Sequence, residues 1–299
     1  MKSSSGLPLH SKYAGRSMLA DTRPVAQKET PPEATSPEAM PNEAMPPLLE
    51  CRGLDICVES RTLIAGLDMK VSSGRVLAIL GPNGSGKSLS LHTFAGLRPP
   101  SAGTVMISGR PINDWPRRHL ARELALLPQN VEDPFPANVL ETVLLGRHPH
   151  IPRWQWESAH DLAIASAALL AVGLEGYEGR SVFTLSGGER RRAALAAVLA
   201  QTPRIFLLDE PTNQLDPNHQ LEALQLLRER ANAGGAVIVT LHDPNLAARF
   251  ADDALLIGGD GRWQYGRVDD VLTAHHLSRL YATRFEAADL GQRRVFFQS

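Results

Sequence analysis

An α/β fold built on a parallel sheet with both faces covered is the architecture this sequence predicts, on three observations. The apolar runs VLAIL (76–80), IFLL (205–208) and AVIVT (236–240) show no polar alternation, so they read as strands buried on both sides. Each gives way to loop residues and then to a helical pattern, which is the alternation of a parallel sheet. The composition, 43% hydrophobic and 21% charged over 299 residues, supplies a core for one large domain without staples.

Taken in order, residues 1–47 hold 8 of the 22 prolines, carry a loose P/N-E-A repeat and show no periodic apolar face, so a disordered tail is expected there. No apolar stretch follows Lys2, which argues against a secretory signal. Residues 48–299 then read as one domain. Around 49–71 and 254–268 the pattern is that of short antiparallel strands with turns. From about 131 to 185 it turns largely helical, as an inserted subdomain would. Asp216-Pro217 ahead of Leu221, Leu224 and Leu227 predicts a helix with an acidic N-cap and a proline in its first turn.

Several function classes are excluded at this level. Lys plus Arg total 31 against 32 Asp plus Glu, so the chain lacks the basic excess that a general nucleic-acid binder needs to replace counterions. The longest mostly apolar stretch, Leu162–Leu174, falls short of the roughly 20 residues that cross a bilayer. Cys51 and Cys57, if on one strand, stand about 20 Å apart, beyond disulfide reach.

The chemistry begins directly after VLAIL. Gly81-Pro82-Asn83-Gly84-Ser85-Gly86-Lys87-Ser88 satisfies G-x-x-x-x-G-K-[ST] between a strand and a helix, with Leu89 continuing the backbone into that helix. Glycines let successive N–H groups turn toward phosphate oxygens, the helix directs its positive end at them, Lys87 reaches the outer phosphates and Ser88 can ligate Mg²⁺. This is a cradle for a nucleoside triphosphate. Hydrolysis needs a further acid for the Mg²⁺ shell and a group to deprotonate water. IFLLDE supplies Asp209 for the first and Glu210 for the second, at the carboxyl end of a predicted strand.

Leu185-Ser186-Gly187-Gly188-Glu189, followed by RRRAALAAVLA and the IFLLDE strand, resembles the nucleotide-binding subunit of ATP-binding-cassette (ABC) transporters, from about Leu48 to the C-terminus. Ser186 is a plausible N-cap, Gly187 and Gly188 allow close backbone approach, and the helix dipole makes a second anion nest. Read without the family, the segment is an ordinary capped helix with Arg190, Arg191 and Arg192 on a solvated face. The resemblance implies a P-loop NTPase fold: a RecA-like parallel sheet, an antiparallel β subdomain and an inserted α-helical subdomain carrying the signature. It further implies a head-to-tail homodimer in which one subunit's signature closes on ATP and Mg²⁺ held by the other. Gln129 then resembles the loop glutamine that contacts Mg²⁺ and water and senses the membrane partner, and His242 the histidine that contacts the γ-phosphate.

Two positions depart from the family pattern. Asn213 stands where a serine is usual in S-x-L-D, and Asp216 reads equally as a contact to the partner protomer or as a helix cap. Val58 occupies the slot of the aromatic that stacks on adenine, which puts base selectivity in doubt. The stretch 134–151, PFPANVLETVLLGRHPHI, resembles the ATPases of vitamin B12, ferric siderophore and haem importers. That resemblance implies integral-membrane permease partners, a periplasmic or lipoprotein binding protein, and a peripheral position on the cytoplasmic face of the inner membrane. The alternatives are an importer ATPase for another solute, a soluble ABC ATPase and a non-hydrolysing regulatory module. His148 and His150 lack the further ligands of a metal site, and Trp154 and Trp156 are expected to be packing anchors.

Overall fold

The structure is a computed structural model, and it describes residues 46–130, 136–291 and 293–299. The expected tail at 1–47 lies almost wholly outside the described residues, as do residues 131–135 of the expected helical insertion.

The three apolar runs are the middle of a six-stranded sheet. These are β3 (Val76–Leu80), β7 (Ile205–Leu208) and β8 (Ala236–Thr240), joined by β6 (Leu124–Leu127), β9 (Asp253–Ile257) and β10 (Trp263–Arg267) in the order β10-β9-β3-β8-β7-β6. All pair in parallel except β10, which runs antiparallel along the edge. The lack of polar alternation has a direct cause: successive residues enter two different cores. Val76, Ala78 and Leu80 point into one, Leu77 and Ile79 into the other, and β7 and β8 divide in the same way. Burying each such side chain contributes roughly 1.5–3 kcal/mol.

One core lies toward β1 (Leu49–Val58), β2 (Arg61–Val71), β4 (Ala102–Ile107) and β5 (Arg110–Pro111), an antiparallel sheet ordered β2-β1-β4-β5. Leu91 and Phe94 of α1 (Lys87–Phe94) fill the same core. Cys51 and Cys57 both sit on β1 with free thiols, Cys51 buried. A short helix, α2 (Arg117–Glu123), leads into β6.

The other core is helical. It takes side chains from α3 (Val139–Leu144), α4 (Ala159–Ala171), α5 (Gly187–Ala200) and α6 (Pro217–Asn232). The backbone enters and leaves this helical region at one place: Val139 N–H donates to Arg180 O at 2.9 Å and Val182 N–H to Ala137 O at 3.1 Å. Asp216 caps α6, accepting from the N–H groups of Asn218 and His219 at 3.0 Å each. No helix among the described residues is long and apolar enough to cross a membrane.

Two expectations need correction. The 254–268 segment is not a separate antiparallel unit: β9 is a parallel strand of the main sheet and only β10 reverses, because Arg75 pairs with Asp253 at 2.6 Å and pins β9 beside β3. Trp154 and Trp156 are not packing anchors. They are 91% and 90% exposed on a turn in which Trp154 has φ +71°, so the chain projects both rings outward before Ser158 caps α4. The alternative reading of the arginine triplet as a solvated face is set aside, since Arg191 is buried. Beyond α7 (Pro244–Phe250), α8 (Val268–Val271) and α9 (Ala274–Tyr281), a hairpin of β11 (Phe285–Leu290) and β12 (Arg293–Gln298) packs on α7. Asn245 fastens it, donating to Phe296 O at 3.0 Å and accepting from Phe296 N–H at 2.7 Å.

Candidate active site

Residues 81–86 form the turn between β3 and α1, and two glycines explain why the turn takes this shape. Gly86 has φ +103°, a conformation closed to most L residues, and it starts α1 without any side-chain cap. A Cβ on Gly81 would lie 2.3 Å from Ile257 O, so the loop presses against the end of β9. Asn83 and Gly84 face outward, Pro82, Ser88 and Leu89 are half-buried, and Ser85, Gly86 and Lys87 are buried.

The polar interior of this loop has the form of a phosphate cradle. Lys87 Nζ donates back to Gly81 O at 2.8 Å and Pro82 O at 3.3 Å. Burial lowers the Lys87 pKa, and the neighbouring Glu210 and Asp209 carboxylates oppose that shift. The Ser85 hydroxyl is buried without a hydrogen-bond partner among the described residues. An amine folded onto its own loop and an unmatched buried hydroxyl suit a site that receives phosphate oxygens.

Asp209 and Glu210 follow β7, and both are buried. Thr240, the last residue of β8, holds them together: its hydroxyl donates to Asp209 Oδ1 at 2.7 Å and accepts the Glu210 N–H at 2.8 Å. Glu210 has φ +50°, a strained backbone for a non-glycine residue, costing on the order of 1–2 kcal/mol. Gln129, just past β6, donates from Nε2 to Glu210 Oε2 at 2.9 Å, and Asn213 Nδ2 donates to the same oxygen. On the other side His242 Nε2 lies 2.5 Å from Glu210 Oε1. Lys87, Gln129, Asp209, Glu210 and His242 thus come from four strand ends to one place.

The signature residues lie elsewhere. Ser186 caps α5 as expected: its hydroxyl accepts Glu189 N–H at 3.2 Å, and Glu189 Oε2 accepts Ser186 N–H at 2.7 Å. The Ser186 backbone N–H holds the Glu189 carboxyl below its usual range. Ser186, Gly187 and Gly188 line an open cavity of about 650 Å³ with Gln214, Asp216 and His219, and no phosphate-loop residue is among its walls. Within one chain the phosphate loop and the glycine turn at Ser186 therefore face different spaces.

Three residues that sequence reasoning passed over belong to the carboxylate cluster. Thr240 reads in the sequence as one more strand residue. Asn213 was seen only as a departure from S-x-L-D, whereas it holds the Glu210 side chain. Arg191 Nη1 donates to Pro128 O at 2.6 Å and Gln129 O at 3.1 Å, and Nη2 donates to Glu210 O at 2.9 Å and to Asp209 O. Burial lowers the Arg191 pKa to about 10, with Asp209 and Glu210 opposing the shift, so it stays charged at neutral pH. Its spacing from Ser186 on the helix was the only signal available.

A phosphate loop after a central parallel strand, with a buried carboxylate pair at the end of a nearby strand, defines a P-loop nucleoside triphosphatase. The ABC transporter family model matches residues 64–213. A hemin import ATP-binding protein, HmuV, of Streptomyces coelicolor is 42% identical over 231 residues, covering 77% of this chain and 81% of that protein. A cobalamin import ATP-binding protein, BtuD, of Halobacterium salinarum is 37% identical over 215 residues, 72% of this chain and 53% of that one. Among solved structures, a chain of an inward-facing ABC transporter described as of metal-chelate type superposes with a TM-score of 0.74 at 27% identity, covering 84% of this chain and 97% of that one. The chain belongs to the ABC transporter family, as its ATP-binding cassette, and is an ATPase of that type.

Proposed function

We propose that this protein is the ATP-hydrolysing subunit of an importer for a metal chelate such as haem, cobalamin or a ferric siderophore. It works as a homodimer against integral-membrane permease subunits on the cytoplasmic face of the inner membrane, supplied by a periplasmic or lipoprotein binding protein. The likeness of about three quarters of the chain to ATP-binding proteins of hemin and cobalamin import carries the cargo reading. Residues 48–299 act as one cassette with the helical insertion at about 131–185, and the tail at 1–47 stands outside it.

In this reading the backbone of Gly81, Pro82, Asn83, Gly84, Ser85, Gly86, Ser88 and Leu89 wraps the phosphates. Lys87 exchanges the Gly81 and Pro82 carbonyls for phosphate oxygens. Ser88, Gln129 and Asp209 are the residues that would hold Mg²⁺, which would supply positive charge against the triphosphate when bound with ATP. Glu210 takes a proton from the water that attacks the γ-phosphorus, and ADP leaves as the bridging bond to that phosphorus breaks. Gln129 and Asn213 fix Oε2, so Oε1 is the oxygen free to turn to water once His242 swings to the γ-phosphate. Ser186, Gly187 and Gly188 of the partner subunit's equivalent helix complete the site from the far side of the triphosphate, which is why one chain shows them facing separate spaces. ATP closes the dimer by binding the closed state more tightly, and product release reopens it.

Deleting the gene tests the cargo directly. Uptake of haem, cobalamin or ferric siderophore is expected to fall to background. Unimpaired uptake of all three, or co-purification with ribosomes instead of a hydrophobic membrane protein, would overturn the reading.

A further inference from the structure

The least expected group in the site is a buried guanidinium that pairs with no carboxylate side chain among the described residues. Arg191 is 5% exposed, and its four hydrogen bonds to the described residues all end on main-chain carbonyls: Pro128 and Gln129 beyond β6, Asp209 and Glu210 beyond β7. Burying this charge is costly, and a methionine of similar volume would fill the space more cheaply. What the arginine gains is geometry. Its planar fork fixes two loops at once, which the point charge of a lysine does not do.

The two loops it fixes are adjacent in the sheet, where Leu127 pairs with Leu208 and Asp209 N–H donates to Leu127 O at 2.9 Å. One carries Gln129, which holds the Glu210 carboxylate, and the other carries Glu210 in its strained conformation. The arginine itself stands five residues after Ser186 on the same helix, about 7.5 Å along its axis at 1.5 Å per residue. Between the signature turn and the fork there is only continuous helix, and beyond the fork the helix packs into the core through Ala193, Leu195 and Ala196. The start of that helix is thus tied to both loops through one side chain.

We propose that Arg191 is a positioning residue that couples the two ATP sites of the dimer: it ties the signature helix, which acts on the partner's nucleotide, to Gln129 and Glu210 of its own site. The proposal rests on the paired-subunit reading above. When the signature engages a phosphate held by the partner, the shift of α5 is read out as the placement of the Glu210 carboxylate in the same chain. Hydrolysis in one site therefore responds to occupancy of the other.

The test uses the full-length chain and two variants, Arg191→Lys, which keeps the charge and loses the fork, and Arg191→Met, which keeps the packing volume. ATP turnover, its Hill coefficient, the ATP Kd by calorimetry and the melting midpoint are measured for each. Both variants are expected to bind ATP within about threefold of the parent, to lose about tenfold or more in kcat, and to show a Hill coefficient near one where the parent shows cooperativity. A folded variant with kcat and cooperativity within about twofold of the parent overturns the proposal, as does a parent without cooperativity. So does a fall in kcat with cooperativity intact, which confines Arg191 to its own site. ATP affinity lost in step with kcat, or unfolding of both variants, overturns it too. Glu210→Gln examined alongside reports the paired-subunit reading alone: if it remains monomeric with ATP, that reading has failed whatever Arg191 does.

Discussion

The two anion nests of this chain differ in a way that composition cannot reveal. The phosphate loop is set in a closed neighbourhood: Lys87 and Ser85 are buried, two carboxylates lie within electrostatic reach, and Thr240 and His242 arrive from the next strand. The signature turn opens on solvent beside Gln214, and the acids and base on its walls are engaged with one another and with the backbone: Glu189 and Asp216 cap helices, and Asp216 also holds the His219 imidazole. Both use the same backbone chemistry, a glycine-rich turn at a helix start. They differ in what surrounds them: a buried lysine and a carboxylate pair at one, capping acids and open solvent at the other.

Substitutions should separate the two nests, and the largest effect is expected at the base. Glu210→Gln keeps the shape of the side chain and removes its basicity, so turnover should drop about a thousandfold in a steady-state ATPase assay with ATP still bound. Lys87→Ala should raise the ATP Kd by about thirtyfold or more in calorimetry, because it removes the buried cation of the cradle. Gly188→Asp places a negative charge in the signature nest, where even a Cβ lies 3.0 Å from Gln214 O. Turnover should fall about a hundredfold while ATP binding to the isolated chain stays within about threefold, the opposite of the Lys87 pattern.

A smaller effect concerns what holds the signature helix from its far end. Arg147 donates to Asp161 at 3.0 Å and to Ala200 O, near the end of α5, at 2.7 Å. The Ser158 hydroxyl and Arg147 pull the Asp161 pKa down to about 2. The folded-state value is depressed, so this stabilisation is present above the ordinary carboxylate pKa near 4 and disappears as pH falls toward 2, amounting to about 2 kcal/mol. Asp161→Asn should cost about 3 kcal/mol in urea unfolding at pH 7 and flatten the acid limb of the stability curve. The smallest effect is expected at Val58, where an aromatic to stack on adenine is missing: Val58→Tyr should tighten ATP binding by about tenfold, and the parent should hydrolyse GTP within about tenfold of ATP.

How much of this was legible in the sequence follows from the range of the interactions. The parallel strands, the phosphate turn, the Ser186 and Asp216 caps and the acidic pair are each determined by neighbours in the chain, and they were readable for that reason. Arg191 was not, because its partners lie about 60 and 20 residues away and only burial distinguishes it from Arg190 and Arg192. Thr240 gained its role from a sheet order in which β8 sits between β3 and β7, a fact of topology and not of spacing. The same holds for β9, whose partner is β3, and for the hairpin that Asn245 fastens to α7. Trp154 and Trp156 misled in the other direction: aromatic size suggests a core, but a turn with Pro152 and a left-handed residue turns them outward.

Sedimentation of Glu210→Gln with and without Mg-ATP tests the shared-site account most directly, with Gly188→Asp in the same background as its control. A monomer that becomes a dimer on adding nucleotide, and fails to do so once the signature glycine is changed although ATP still binds, is the predicted result. A nucleotide-loaded monomer in the first variant, or a dimer indifferent to the second change, would contradict it.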